Sequence, residues 1–224
     1  MEAGAFVTDG FALVPAVLAG VQCEAIAAHA ATTARRSAGT RSLLPQAWCQ
    51  ALASKLRNHP SLAAFIPSGF VATQCTYFEK SQALNWLVAV HQDLSIPVAA
   101  RIDHPALHGW SEKEGSLFVQ APVELLEQLV AVRLYLDNCT STDGPLRVVA
   151  GSHLHGRIEP DAATLARQTQ TEVACTGLRG TALVMRPLLL HASSKATGTS
   201  KRRVLHFLFG PRSLPHGLQW RHAV

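Results

Sequence analysis

The stretch QLVAVRLYLD (residues 128–137) is rich in β-branched and aromatic residues, which is typical of a β-strand. Five further segments downstream of Pro67 have the same character, and turn-forming residues such as Gly144 and Pro145 separate them. These segments are FVATQCTYFEK (70–80), NWLVAVHQD (85–93), PLRVVAG (145–151), GTALVMR (180–186) and KRRVLHFLF (201–209). Helical patterns do not alternate with these strands, so the pattern favours an antiparallel sandwich or jelly roll over a parallel sheet.

The residues before Pro67 carry a different pattern, with alanine-rich segments and apolar residues at helical spacing. This pattern predicts two helices, over residues 15–36 and 46–59, and the second helix stops before Pro60. We therefore predict a mainly β fold with a helical N-terminal region.

No linker in the sequence is long enough to divide the chain, so we predict that residues 1–224 form a single domain. Within it we expect a helical N-terminal cap (1–69), a jelly-roll core (70–212) and a C-terminal tail (213–224).

Charge and cysteine content argue against several classes of function. The net charge is +5, but the basic residues are scattered and aromatic residues do not interleave with them, so we do not expect nucleic acid as a partner. Five cysteines stand singly, which argues against a disulfide framework or a zinc knuckle and favours a reducing compartment. The first residues lack the basic start of a signal peptide, and no apolar stretch approaches the ~18 residues of a membrane span. We expect a cytoplasmic protein without membrane segments.

His91 and Asp93 lie in the otherwise apolar stretch AVHQDLSIPV (89–98), where an uncompensated charge would be costly. Residues i and i+2 of a strand point to the same face, so this imidazole and this carboxylate can meet at one point. They would supply two of the three ligands in the facial triad that binds non-haem Fe(II). A core histidine hydrogen-bonded to a nearby carboxylate is the alternative interpretation of the motif.

A third ligand would have to come from a distant strand. His191 is the best candidate, because it follows the apolar run 188–190, where an unsatisfied imidazole would be expensive. His206, within the last predicted strand, is its main rival. The remaining histidines lie in helical, terminal or loop-like stretches.

Arg202 follows His191 by eleven residues and could offer the paired donors of its guanidinium to a carboxylate. Strand alternation puts Arg202 and His206 on one face and Arg203 on the other, so only one of the two arginines can face a pocket. Alternation alone does not say which arginine it is, and a solvated basic turn is the alternative.

Four motifs follow one another along the predicted core. They are HQD (91–93), DGPLRVVAGSHLHG (143–156), RPLLLHASS (186–194) and RRVLHF (202–207). In order and separation they resemble the motifs of the phytanoyl-CoA dioxygenase-like family of Fe(II)- and 2-oxoglutarate-dependent oxygenases, and the resemblance covers about residues 70–212. The family has a double-stranded β-helix, a cupin-like jelly roll. Two departures, Val90 where a tryptophan is frequent and Ala150 where a proline is frequent, remove no ligand.

The resemblance implies that His91, Asp93 and His191 bind Fe(II) and carry the catalytic centre. Asp93 also favours hydroxylation or desaturation over halogenation, because related halogenases lack this carboxylate.

The resemblance further implies a site for 2-oxoglutarate as co-substrate. It places Arg202 and Ser193 on the distal carboxylate of 2-oxoglutarate. Gln74, seventeen residues before the first ligand, matches a glutamine found there in some members, and Thr76 shares its strand face. We expect Gln74 and Thr76 to line the co-substrate site.

Arg133, Tyr135 and Trp110 are the predicted substrate-binding residues. Arg133 and Tyr135 share a face of a central strand, and Arg133 would bind a carboxylate of the substrate or co-substrate. An edge-strand arginine in water is the alternative for Arg133. The segment 102–122 has loop composition, and we expect it to lie over the mouth of the site, where Trp110 would line the pocket.

The resemblance therefore implies a dioxygenase that uses O2 and 2-oxoglutarate to hydroxylate a small metabolite, with release of succinate and CO2. The sequence does not identify this metabolite, although Arg133 suggests an anionic one. Two alternatives stay open: a cupin-like binding protein without turnover, and a non-oxidative metal-dependent isomerase or hydrolase with the same three ligands.

Overall fold

The computed structural model describes residues 3–34 and 39–224. Its α-helices are α1 (Ala3–Asp9), α2 (Gly20–Ala34), α3 (Ala47–Arg57), α4 (Val123–Leu126) and α5 (Pro160–Thr169). Its β-strands are β1 (Phe11–Val14), β2 (Gly39–Thr40), β3 (Val71–Lys80), β4 (Val88–His91), β5 (Ser95–Val98), β6 (His108–Lys113), β7 (Ser116–Gln120), β8 (Val130–Tyr135), β9 (Leu146–Val149), β10 (Glu172–Cys175), β11 (Ala182–Met185), β12 (His191–Ser193) and β13 (Arg202–Gly210).

Most strands belong to two antiparallel sheets with a shared apolar interior. The six-stranded sheet has the order β1-β11-β8-β13-β3-β2, and the four-stranded sheet has the order β10-β9-β12-β4. From β3 to β13 the chain passes back and forth between these two sheets, as a jelly roll does. The predicted mainly β, cupin-like jelly roll is confirmed.

The six-stranded sheet is buried on both faces, and strand alternation divides its side chains between two cores. On β8, Val130, Val132 and Leu134 pack in a cluster that includes residues of α2 and α3. Ala131 and Tyr135, on the other face of β8, pack in the interior between the two sheets. The sheet therefore has an outer face covered by helices and an inner face that lines the interior of the jelly roll.

The N-terminal region contains the predicted helices and also three elements that the sequence did not reveal, α1, β1 and β2. Helix α2 begins at Gly20 instead of residue 15, because the chain turns at Ala16, where φ is 56°. Residues 35 and 36 of that predicted helix lie outside the described residues. Strand β1 pairs with β11 and completes one edge of the six-stranded sheet.

The segment 102–122 is not the loop that its composition predicted. Strands β6 and β7 form an antiparallel hairpin, which joins β5 in a third sheet of order β5-β7-β6. Glu114 and Gly115 make the tight turn, with φ values of 51° and 69°. The polar side chains of β6 are partly exposed, which is why its composition is that of a loop.

No helix within the described residues is long and apolar enough to cross a membrane.

Candidate functional site

The first and third predicted metal ligands lie on neighbouring strands of the four-stranded sheet. His91 ends β4 and His191 begins β12, and the two residues are directly opposed in the antiparallel register. Their ring centroids are 4.2 Å apart. Asp93 follows β4 by two residues, and its backbone N–H donates to the carbonyl oxygen of Pro187 at 2.9 Å. The sheet register thus brings together residues that are a hundred positions apart.

Both imidazole rings are oriented in the same way by the backbone. Nδ1 of His91 lies 2.8 Å from the carbonyl oxygen of Ala89, and Nδ1 of His191 lies 2.8 Å from that of Leu189. A carbonyl oxygen can only accept, so Nδ1 carries the hydrogen in each ring and Nε2 keeps its lone pair. This is the orientation in which a histidine binds a metal through Nε2.

The two free Nε2 atoms converge on Asp93. Nε2 of His91 is 3.7 Å from Oδ1 of Asp93, and Nε2 of His191 is 3.7 Å from Oδ2. One ligand atom from each of the three residues lies within 4.8 Å of the others, so the group could hold a metal ion. Two imidazole nitrogens and one carboxylate oxygen fit a divalent transition metal such as Fe(II).

Burial sets the charge state of this group. It lowers the pKa of His191 to about 4, so this imidazole is neutral and available as a ligand at neutral pH. Burial alone would raise the pKa of Asp93, but His191, His206 and His91 outweigh it, and the pKa of Asp93 falls below its usual value. The carboxylate is therefore ionised in the site.

His206, the rival for the third ligand, lies beside the group. Its Nε2 is 3.7 Å from Oδ2 of Asp93, and burial lowers the pKa of His206 to about 4. Its Nδ1 is buried and has no hydrogen-bond partner within the described part of the chain. The set of residues that could hold an ion contains His191 and not His206.

The three residues open into a cavity of about 460 Å³ between the two sheets. A cavity of this size can bury a small ligand or two. Five residues predicted for the co-substrate or substrate also line the cavity, and they are Gln74, Thr76, Arg133, Ser193 and Arg202. Within this group, Nε2 of Gln74 donates to Oγ1 of Thr76 at 2.8 Å.

Arg202 is the arginine that faces the cavity. It is 2% exposed, and its Nε is buried without a hydrogen-bond partner among the described residues. Arg203 points to the outer face of the sheet, where it makes a bidentate ion pair with Asp137 at 2.8 and 2.7 Å. The structure thus separates the two arginines that the sequence could not distinguish.

Arg133 is a second buried guanidinium on the cavity wall. It faces Arg202 and Asp93, and it lies over the ring of Phe78 at 5.2 Å. Burial and the neighbouring Arg202 lower the pKa of Arg133 to about 10. Arg133 is buried on β8, which lies between β11 and β13, so the edge-strand alternative in water does not apply. It forms no ion pair with any described residue.

Lys80 is a functional candidate that the sequence analysis missed. It is 0% exposed, and its register partner on β13 is Arg202. Its Nζ donates to Oγ of Ser193 and to the carbonyl oxygen of Ser194, each at 2.6 Å. Strand alternation puts residue 80 on the same face as Gln74, Thr76 and Phe78, and this pattern could have revealed Lys80. It was not used because a lysine at a strand end is usually solvated.

Two of the predicted substrate-binding residues lie away from the cavity. The hydroxyl of Tyr135 is buried and donates to the carbonyl oxygen of Cys175 at 2.7 Å. Trp110 lies on the hairpin and packs against Arg101, whose Cζ is 5.3 Å from the ring. The tryptophan that lines the cavity is Trp86.

The hairpin of β6 and β7 contributes Lys113 and Phe118 to the cavity wall. The ammonium of Lys113 lies 5.0 Å from the ring of Phe118 and has no ion-pair partner in the described structure. The adjacent Arg41, in contrast, is paired with Glu114 at 3.3 Å. The hairpin therefore presents an unpaired cation to the cavity.

Gln92, between the first two predicted ligands, anchors their segment through three hydrogen bonds. Its amide nitrogen donates to the carbonyl oxygens of Gly156 and Leu188, at 2.8 and 2.6 Å. Its amide oxygen accepts from the backbone N–H of Ile158 at 2.8 Å. These bonds tie the segment that carries His91 and Asp93 to two neighbouring segments.

Known structures with the same fold include metal- and 2-oxoglutarate-containing proteins. The non-haem alpha-ketoglutarate-dependent carbocyclase SnoK from nogalamycin biosynthesis is 15% identical with a TM-score of 0.69, and the match covers 93% of this chain and 82% of that one. The epimerase SnoN, in complex with Fe3+, alpha-ketoglutarate and nogalamycin RO, is 15% identical with a TM-score of 0.69, over 96% and 89% of the two chains. HygX from Streptomyces hygroscopicus, with nickel and 2-oxoglutarate bound, is 18% identical with a TM-score of 0.62, over 92% and 84%.

No curated protein matches the sequence. The family described as phytanoyl-CoA dioxygenase (PhyH), however, matches residues 6–204, which is most of the chain. This match agrees with the four motifs of the core and with the jelly roll that carries them. The chain belongs to the phytanoyl-CoA dioxygenase family.

Proposed function

We propose that this protein is an Fe(II)- and 2-oxoglutarate-dependent dioxygenase that hydroxylates a small, anionic metabolite and releases succinate and CO2. The observation that carries the proposal is that one cavity is lined both by possible metal ligands and by unpaired cations. A group that could hold a divalent metal lies on one side, and buried guanidinium groups without counter-charges lie nearby. Family membership and the iron- and 2-oxoglutarate-containing structures of the same fold support it.

In this proposal His91, Asp93 and His191 hold the iron. Their backbone partners fix both imidazoles with Nε2 toward Asp93, so the site is organised before the metal enters. All three residues line the cavity, so a metal that they held would be accessible to ligands there.

Arg202 and Arg133 supply the positive charge for the carboxylates of 2-oxoglutarate. Two buried guanidinium groups without anionic partners are costly for the folded protein, and a dicarboxylate ligand would offset that cost. Arg202 offers a fork of donors to the distal carboxylate, and its unpartnered Nε supports this role.

When bound, iron and 2-oxoglutarate would supply the activation of O2, in which one oxygen atom goes to succinate and the other to the substrate. The contribution of the protein is to hold the reactants together and to keep water out. The apolar part of the wall, including Trp86, Phe78 and Phe118, serves this exclusion.

The substrate is proposed to carry a negative charge. Arg41, Lys113, Arg133 and Arg202 line the cavity, whereas Asp93 is the one carboxylate among its lining residues. Arg202 and a metal-bound Asp93 are committed to the co-substrate and the iron. Lys113, unpaired and on the hairpin, is then placed to bind an anionic group of the substrate.

Two further expectations from the sequence remain proposals. We propose that residues 1–224 act as one domain, because the helices of the N-terminal region pack on the sheet that carries Arg202. A cytoplasmic location is supported by the five cysteines, all of which are free thiols.

The proposal is tested with purified protein, Fe(II), ascorbate and 2-oxoglutarate, against a library of acidic metabolites and their amides. Formation of succinate and CO2 that depends on one acid, together with a product heavier by one oxygen, is the expected result. Metal uptake without a 2-oxoglutarate-induced absorption band under anaerobic conditions would instead favour a cupin-like binding protein. Turnover that is independent of O2 would favour a metal-dependent isomerase or hydrolase.

A further inference from the structure

The hydroxyl of Ser193 is already used within the protein. Oγ of Ser193 donates its single hydrogen to the carbonyl oxygen of Gly144 at 3.0 Å, and it accepts a hydrogen bond from Nζ of Lys80 at 2.6 Å. To donate to a carboxylate, Ser193 would have to give up its bond to Gly144. The family role expected for this serine therefore conflicts with the contacts it makes here.

Lys80 has the donor that Ser193 lacks. An ammonium group carries three hydrogens, and Lys80 uses one for Oγ of Ser193 and one for the carbonyl oxygen of Ser194. Nζ also lies 5.4 Å from the ring of Trp86, and both Ser193 and Trp86 line the cavity. Lys80 does not itself line the cavity, but its third hydrogen has no partner among the described residues, and Ser193 and Arg202 beside it do line the cavity.

The positive charges around Lys80 would also be stabilised by a bound anion. Its strand partner is Arg202, and Arg202 and Arg133 both act on its charge, so three cations lie together on the inner face of one sheet. None of the three forms an ion pair with a described residue. Asp143, a carboxylate that acts on Arg202 from a greater distance, is occupied by hydrogen bonds from Thr140 and Ser200.

We infer that Lys80 is a co-substrate-binding residue: its ammonium group binds the distal carboxylate of the 2-oxo acid together with Arg202, and Ser193 positions the ammonium. This inference rests on the proposed function, because the ligand is the co-substrate of that reaction. It adds a residue to the site and changes the role of Ser193. It also predicts that Lys80 selects for 2-oxo acids that carry a second carboxylate.

The test compares two ligands of equal chain length, 2-oxoglutarate and 2-oxopentanoate, which lacks the distal carboxylate. Each is titrated anaerobically into Fe(II)-loaded wild type and Lys80→Met, with the absorption band of the bound 2-oxo acid and tryptophan fluorescence as readouts. In Lys80→Met we expect 2-oxoglutarate to bind at least about tenfold more weakly, while the affinities for 2-oxopentanoate and for Fe(II) are unchanged. Equal losses for both 2-oxo acids would indicate a merely structural lysine and would overturn the inference.

Ser193→Ala is the matched variant. If Ser193 only positions Lys80, this variant should lose less affinity for 2-oxoglutarate than Lys80→Met does. A larger loss of affinity in Ser193→Ala than in Lys80→Met would indicate that Ser193 itself binds the distal carboxylate, and it would contradict the inference.

A measurement on the wild type covers the case in which Lys80→Met does not fold. Burial and the charges of Arg202 and Arg133 lower the pKa of Lys80 to about 7, whereas both arginines stay protonated and burial raises the pKa of the neighbouring Cys139. The preference for 2-oxoglutarate over 2-oxopentanoate should therefore weaken as pH rises from 7 to 8.5, by up to about tenfold per pH unit. A preference that does not change over this range overturns the inference. If the wild type binds neither 2-oxo acid, the proposed function itself has failed.

Discussion

Arg202 and Arg203 are neighbours in the chain, yet they have opposite environments on the two faces of one sheet. On the outer face, Arg203 has a bidentate partner in Asp137. On the inner face, Arg202 is more deeply buried and forms no ion pair with a described residue. This difference supports the proposal that Arg202 is the arginine that binds a ligand.

The same contrast recurs at the hairpin. Arg41 is paired with Glu114, whereas the ammonium of Lys113 lies against an aromatic ring without a carboxylate. We therefore propose that the paired cations stabilise the fold and that the unpaired cations around the cavity bind anions. The following substitutions and pH changes test this difference between paired and unpaired cations.

The largest effect is expected at the group of His91, Asp93 and His191, which could hold a metal. His191→Ala should weaken Fe(II) binding by more than about 100-fold, because it removes a ligand that the backbone has already oriented. His206→Ala, which alters the same cavity without removing a predicted ligand, should leave Fe(II) affinity nearly unchanged. Anaerobic Fe(II) titration measures both, and the reverse order of effects would make His206 the third ligand.

Substitution of Arg202 should change the affinity for 2-oxoglutarate, whereas substitution of Arg203 should change the stability of the fold. Arg202→Met is expected to weaken 2-oxoglutarate binding by about 10- to 100-fold and leave the free energy of unfolding of the ligand-free protein unchanged or higher. Arg203→Met should leave the affinity unchanged and lower the free energy of unfolding by about 1–3 kcal/mol, because Asp137 loses its partner. Calorimetric titration and urea unfolding measure the two quantities. A stability loss in Arg202→Met as large as that in Arg203→Met would contradict this difference between paired and unpaired cations.

At the hairpin, Lys113→Gln should raise the KM of an acidic substrate found in the screen by about tenfold, because one charge-assisted contact is lost. The KM for 2-oxoglutarate should not change. Lys55→Gln, on the exposed surface of α3, is the control. An equal rise of both KM values in Lys113→Gln would place this lysine on the co-substrate.

The smallest effect concerns pH. The pKa of Lys80 is about 7 in the folded protein and near 10.5 when the chain is unfolded, so above pH 7 the unfolded chain binds more protons. The free energy of unfolding of the ligand-free protein should therefore rise between pH 7 and 8.5, by about 1 kcal/mol, and Lys80→Met should show a flatter profile. Urea midpoints at the two pH values measure this, and a fall in stability over the range would show that Lys80 is not the group responsible.

Much of the fold could be predicted because the information was local. The six strands predicted downstream of Pro67 are present as β3, β4, β8, β9, β11 and β13, since each is a short run with β propensity between turn-forming residues. The hairpin of β6 and β7 was missed, because β6 carries polar, partly exposed side chains at the edge of its sheet and resembles a loop in composition. Strand β1 was missed because four residues carry little pattern of their own.

The sequence by itself predicted a mainly β fold, motifs that resemble those of one family, His91 and Asp93 on one face, and opposite directions for Arg202 and Arg203. These follow from periodicity, spacing and motif order. Only the tertiary structure decided which distant side chains meet, because that depends on sheet order and register. It placed His191 opposite His91, and Lys80 opposite Arg202. It also turned the hydroxyl of Tyr135 toward Cys175, since a side chain in the interior goes where its hydrogen bond can be satisfied.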